Sequence, residues 1–248
     1  MNHPRRSALL GRACRIWSEA EIPWERNSGP DSSHAFKVLL DEPGGLLCLS
    51  LEQYDPGAVF RRTTLHNWEE LFAIRGSWSG SGKEHGEAYF CLTGTKEWEG
   101  WTAGDAGCSL LRLSRKIPPG KTDLLSTNSV QPGQLVEPQL FEQLNWEEIP
   151  ARKADDPGAR VVQLSRNQAG TSITSLMDCR PRWVLDEHCH PSDVVTYCIR
   201  GGGLLTMEGR RFNFTEGQVV TIAVDTPHQF QTGLDGAFML ILVTEPLS

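Results

Sequence analysis

The sequence predicts an all-β fold arranged as two tandem barrels, and three observations point to it. Short apolar or alternating runs, most of them five to seven residues long, recur along the chain; its 24 glycines and 15 prolines gather mainly between those runs; and helical periodicity is weak throughout. In chain order, Gly45 to Leu51 alternates leucine with small residues, as a strand with one buried face does. Ala88 to Leu92 and Cys108 to Leu113 are compact apolar runs closed by turn residues, and Arg160 to Leu164 and Ile173 to Met177 follow with mixed polarity. Val194 to Ile199, Gln218 to Val224 and Ala237 to Val243 are nearly continuous in apolar residues, the signature of strands covered on both faces. Short helical turns are predicted near Ser18 to Ile22 and Phe141 to Glu148.

A repeat underlies the strands. Shifting the second half back by 125 residues places Pro181 on Pro56, Ile199-Arg200 on Ile74-Arg75 and Gly201 on Gly76. Glu21-Ile22-Pro23 and Glu148-Ile149-Pro150 echo each other at the start of each half. Matching Gly104 to Gly217 requires a second offset of 113 and an exposed insertion around Ser77 to Gly86. The expected division is a cationic tail over 1–20, a first barrel over 21–125, a linker over 126–145 and a second barrel over 146–248. The stretch from Pro118 to Gln143 carries the prolines and glycines of a linker.

A formal net charge of -7 and a pI near 5.5 argue against nucleic acid or anionic lipid as partner. Seven cysteines without a CxxC pair suit a reducing compartment and ordinary burial. No run reaches the ~18 apolar residues of a membrane span. Met1 to Ile16 has four arginines with no apolar segment behind them, so a cytoplasmic protein is expected.

The chemistry concentrates in His188-Cys189-His190 and Pro227-His228, the only histidines of the last hundred residues. Side chains two apart share a strand face, so His188 and His190 can join a third histidine from a later strand around one metal ion. The competing reading is three histidines satisfied by ordinary hydrogen bonds. The run from Pro181 to Gly201, with Glu216-Gly217 and Asp225-Thr226-Pro227-His228 after it, resembles the two signature motifs of the cupin superfamily. That resemblance implies a double-stranded β-helix barrel with His188, His190 and His228 as metal ligands, and an acid four residues after the second histidine. Val194 stands there instead, and Asp193 is one step short, on the opposite face of a regular strand. Three neutral imidazoles suit one divalent ion, with Fe(II) favoured by the resemblance and Zn, Ni, Mn or Cu also compatible. Three protein ligands leave open coordination positions, as in a reactive site. By period two, Thr196 and Cys198 share the face of Val194, and Phe230 that of His228, so these are the expected pocket residues, and Asp193 joins them, as a fourth ligand, where an irregular backbone after Pro191 turns it inward. Cys189 and Tyr197 point away, Cys189 into the core.

The run from Gly57 to Gly76 resembles the same motif without its ligands: the 125 offset brings His188 to Thr63, His190 to Leu65 and Val194 to Glu69. His66 is one residue out of register, and the 113 offset brings His228 near Arg115. This half is similar to cupin domains of anti-sigma factors and acetylacetone-cleaving dioxygenases. It is expected to bind no metal, and Trp68, Trp78, Trp98 and Trp101 are expected to pack its core and interfaces.

The resemblance implies a metal-dependent dioxygenase acting on a small bidentate substrate such as a diketone or phenolic ketone. The alternatives are a metal-dependent isomerase, lyase or decarboxylase that uses no O2, and a non-catalytic ligand-binding cupin. A small-molecule substrate is the expected partner, with no nucleic acid or membrane, and analogy implies a homodimer.

Overall fold

A computed structural model of the chain describes residues 14–26, 33–41, 47–61, 68–80, 83–93, 99–115, 125–127, 139–150, 157–167 and 172–243. Its strands are β1 (Arg15–Ser18), β2 (Glu25–Arg26), β3 (His34–Asp41), β4 (Leu47–Tyr54), β5 (Val59–Arg61), β6 (Trp68–Gly80), β7 (Lys83–His85), β8 (Ala88–Thr93), β9 (Glu99–Arg115), β10 (Leu125–Thr127), β11 (Gln139–Leu140), β12 (Glu147–Ile149), β13 (Ala159–Asn167), β14 (Ser172–Cys179), β15 (Val184–His188), β16 (Val194–Met207), β17 (Arg210–Thr215), β18 (Gln218–Ile222) and β19 (His228–Val243). Single 3-10 turns at Glu19–Glu21 and Phe141–Gln143 stand where helical turns were expected. Among the described residues no helix is long and apolar enough to cross a membrane.

The chain forms two compact units. In the first, the sheet runs β11-β8-β6-β9-β4-β3-β2, with β5 on β9 and β7 on β6. In the second it runs β1-β18-β16-β19-β14-β13-β10, with β12 on β13, β15 on β19 and β17 on β16. Every pairing is antiparallel, and the two orders correspond strand for strand along most of their length. The fold is all-β and duplicated, as expected.

Two glycines in each unit show why the halves share sequence. Gly201 (φ +71°) lies against the carbonyl of Gly236, where a Cβ would come within 2.3 Å of that oxygen. Gly76 (φ +77°) lies against the carbonyl of Gly107 in the same way, at 2.1 Å. Each pair marks the register shift where the long central strands bend past one another, and a side chain there has neither the space nor the backbone conformation.

The register corrects three expectations. Gly76 and Gly201 correspond, but so do Gly107 and Gly236, which sets the last strand at an offset of 129 rather than 113. Phe230 then matches Trp101, and His228 matches Glu99, whose partner Arg61 takes the place of His188. Arg115 instead pairs with Leu47 and Trp68 at the far end of β9. No insertion exists over 77–80 and 83–86: these residues are the end of β6, the short β7 and the turn before β8. The error came from a single glycine match, which a turn residue cannot anchor. The expected tail and linker also carry structure. Residues 15–18 form the edge strand of the second unit, pairing with β18, and residues 139–140 form the edge strand of the first, pairing with β8. Residues 125–127 pair with β13. Thr63, Leu65, His66 and Trp98 lie outside the described residues.

Candidate metal centre

His188 closes β15 and His228 opens β19, and the two stand opposite each other in the pairing of those strands. His190 follows in the connection to β16. The ring centroids are 4.2 Å apart for His188–His228, 4.8 Å for His188–His190 and 5.1 Å for His190–His228. One nitrogen from each ring lies within 4.8 Å of the others, a spacing at which three imidazoles can share an ion.

The backbone orients two of these rings. His188 Nδ1 lies 2.8 Å from the Asp186 carbonyl oxygen, and His228 Nδ1 lies 2.9 Å from that of Thr226. A carbonyl oxygen only accepts, so Nδ1 carries the proton in both rings and Nε2 keeps its lone pair. Protonation is opposed as well. Burial, then the neighbouring His188 and His228, pull the His190 pKa down to about 4. Burial also lowers that of His228, with His188 adding to it and the Thr226 carbonyl opposing it. His190 and His228 are thereby biased toward the neutral imidazole, the form in which a ring can ligate a divalent cation.

The loops bearing His190 and His228 are stitched together. The Asp225 N–H donates to the His190 carbonyl at 2.8 Å, and the Val224 N–H donates to Asp193 Oδ1 at 2.7 Å. Within the second loop the Thr226 N–H returns to the Ala223 carbonyl at 3.2 Å, and Asp225 takes a left-handed φ of 57°.

A cavity of about 70 Å³ opens beside the three histidines. It is small against the ~300–1,000 Å³ typical of sites for drug-sized ligands. Val194, Thr196 and Phe230 line it, together with Met177, Leu185, Met239 and Ile241. Thr196 supplies the only hydroxyl among the described lining residues, and the histidines the only titratable groups.

Two expected pocket residues lie elsewhere. Asp193 stands just before β16, is turned onto the Val224 amide and is not among the cavity's lining. Cys198 is fully buried beyond the cavity, where its thiol donates to the carbonyls of Arg200 and Gly201 beside the glycine bend. Burial, with the charge of Glu216, raises its pKa to about 12. Cys189 is exposed rather than in the core, since the strand has ended by that residue. Tyr197 does face away from the cavity: its hydroxyl donates to Glu19 at 2.5 Å, holding the turn after β1. The sequence did not single out Met239 or Ile241 as lining, because the register shift at the glycine bend breaks the period-two count from Phe230.

The corresponding place in the first unit is filled by charge. Strand register sets Met177, Val194 and Ile241 against Glu52, Glu69 and Arg112. Arg112 contacts Glu52 at 2.8 Å and Glu69 at 3.3 Å, and the Tyr54 hydroxyl donates to Glu52 at 2.7 Å. Burial alone would raise the Glu52 carboxyl, but Arg112, His34 and Tyr54 together hold it down at about 2. Glu69 occupies the position where the resemblance places an acid ligand, and here it serves an arginine.

A model of the AraC-like ligand binding domain matches residues 172–243. No curated protein matches the chain. Among solved structures, a candidate dioxygenase from Nostoc punctiforme is 14% identical with a TM-score of 0.67, covering 95% of this chain and 84% of that one. The Mn(II)-containing oxalate decarboxylase of Bacillus subtilis is 15% identical with a TM-score of 0.59, covering 92% and 76%. A cupin 2 conserved barrel domain protein from Leptotrichia buccalis is 13% identical with a TM-score of 0.52, covering 95% and 99%. These likenesses establish the architecture as tandem cupin barrels.

Proposed function

We propose, from the premise of a bicupin with one histidine centre, that this chain is a metal-dependent enzyme. Its second barrel would hold one divalent ion, Fe(II) by preference, between His188, His190 and His228, and act as a dioxygenase on a small bidentate substrate such as a diketone or phenolic ketone. The observation that carries this reading is the donor set: two imidazoles fixed with Nδ1 protonated, a third held neutral, and, among the described residues, no carboxylate grouped with them. A bound divalent ion would act as a Lewis acid toward a chelating substrate and, as iron, would give access to O2.

The chain's own residues supply the rest. Neutral ligands leave the full dipositive charge of the ion uncompensated, which favours a substrate that chelates as an anion. Val194, Phe230, Met239 and Ile241 exclude water and pack against an apolar body. Thr196 can donate one hydrogen bond or accept one. With no titratable side chain but the histidines on the described lining, nothing is placed as a general base. That disfavours an isomerase or lyase and favours a substrate acidic enough to ionise on binding the metal.

The test is O2 consumption by anaerobically Fe(II)-loaded protein given acetylacetone or 2-hydroxyacetophenone. Turnover that disappears in His228→Ala supports the reading, and metal binding without O2 uptake on either ketone sinks the dioxygenase assignment. The match to a ligand-binding domain favours a second reading, in which the same cavity binds a small molecule without turning it over. A ligand-induced thermal shift with no product would establish it.

A further inference from the structure

We infer that Asp193, which is not placed to ligate the metal, is the positioning residue of the metal centre: its carboxylate clasps the loop that presents His228 to the loop that presents His190. This rests on the reading of the three histidines as metal ligands.

Two hydrogen bonds join the loops, given by adjacent residues of one loop and accepted by residues three apart in the other. The His190 carbonyl accepts from the Asp225 N–H at 2.8 Å, and three residues after His190 the Asp193 carboxylate accepts from the Val224 N–H at 2.7 Å. A single bond would leave the loops free to pivot, whereas two bonds with separate acceptors fix both spacing and angle. The clasped turn, Ala223 to Thr226, is closed by the Thr226 N–H on the Ala223 carbonyl and needs the left-handed backbone of Asp225. Such a non-glycine conformation is strained and persists only when its surroundings enforce it. The turn's last carbonyl, that of Thr226, receives the Nδ1 proton of His228. An unbroken path therefore runs from the Asp193 carboxylate through the turn to the ring of His228, and its second rung ends on the backbone of His190.

The position also gives a reason for an acid just before Val194 in a site that has no acid ligand. A carboxylate accepting a backbone N–H makes a stronger bond than a neutral acceptor, in keeping with the 2.7 Å distance. Its charge sits outside the cavity, where it leaves the ion's charge available to a substrate.

The experiment uses Co(II), whose visible spectrum reports ligand geometry without any need for turnover. The full-length chain, Asp193→Ala and Asp193→Asn are compared by Co(II) titration and by the shape of the bound spectrum. Removing an outer-shell partner typically costs 10–100-fold in metal affinity. Asp193→Ala is expected to bind Co(II) at least tenfold more weakly with an altered band pattern. Asp193→Asn, which keeps an acceptor oxygen in place, is expected to return to within about threefold of wild type with the native spectrum. Wild-type affinity and spectrum in Asp193→Ala would overturn the inference, as would an equal loss in both variants. If Asp193→Ala does not fold, Asp193→Glu carries the test, since its longer side chain misplaces the carboxylate: a tenfold loss supports the clasp and an unchanged titration overturns it. Failure of the wild-type chain to take up Co(II) would overturn the metal reading itself, an outcome distinct from normal loading in every variant.

Discussion

At the residue scale, His228 has the most to lose. It is the buried member of the trio, its Nδ1 proton is committed to Thr226, and it pairs across the strand with His188. His228→Ala should reduce Co(II) or Fe(II) binding by at least a hundredfold while the far-UV circular dichroism stays that of a β-protein, which equilibrium dialysis and spectroscopy would check. Thr196→Val, nearly isosteric, should leave metal affinity within about threefold and change only the response to ketone ligands. A large loss of metal in Thr196→Val would show that its hydroxyl belongs to the metal site rather than to the substrate. At this scale much of the centre was legible in sequence. The spacing His-x-His and a later Pro-His named three side chains that the structure brings together, although only His188 and His228 stand on strands and His190 reaches them from the connection to β16. Asp193 was legible as off-face but not as a clasp, since its partner is the Val224 backbone and main-chain amides carry no signature in sequence.

At the scale of strands, the two barrels solve the same interior in opposite ways. β4, β6 and β9 place Glu52, Glu69 and Arg112 where β14, β16 and β19 place Met177, Val194 and Ile241. Breaking a buried ion cluster from one side leaves uncompensated charge and costs about 3–5 kcal/mol. Arg112→Met should therefore destabilise the protein by about that amount in urea unfolding. The joint replacement Glu52→Met, Glu69→Val, Arg112→Ile, which borrows the other unit's residues, should be nearly neutral or stabilising. A joint variant as unstable as Arg112→Met alone would show that the charges pack in a way hydrophobes cannot. The cluster also sets a pH dependence. The Glu52 carboxyl is held below its ordinary value, so its stabilising contribution is complete above about pH 4.5 and lost as pH falls toward 2. The stability gap between wild type and Glu52→Gln should accordingly shrink over that window and stay flat from pH 5 to 7. The sequence suggested this contrast through Glu69, but the pairing of Glu52 with Arg112 needed the register, because sixty positions separate them.

At the scale of the whole molecule, the duplication was readable from Gly76 and Gly201, whereas the extent of each unit was not. Glycine at the strand bend is required by backbone geometry and so survives as a recognisable mark. Edge strands of two or four residues such as β11 and β1 have no pattern that distinguishes them from connecting chain. Metal should act on one unit: in hydrogen–deuterium exchange, added Co(II) should slow amides of β15, the start of β16 and the start of β19, and leave β4, β6 and β9 unchanged. Protection of both units alike would mean that binding is coupled through the entire chain.

The pairing of β1 with β18 has a consequence for the order in which the protein is made. About two hundred positions separate the paired residues, so at ~5–20 residues per second a ribosome delivers β18 roughly 10–40 s after β1. Through that interval Trp17, buried in the finished barrel, has no strand to rest on, and His188 and His190 emerge before the loop that carries His228. The second barrel closes only once β19 has emerged, so an ion held between His188, His190 and His228 would be captured after that strand and not while β15 stands alone.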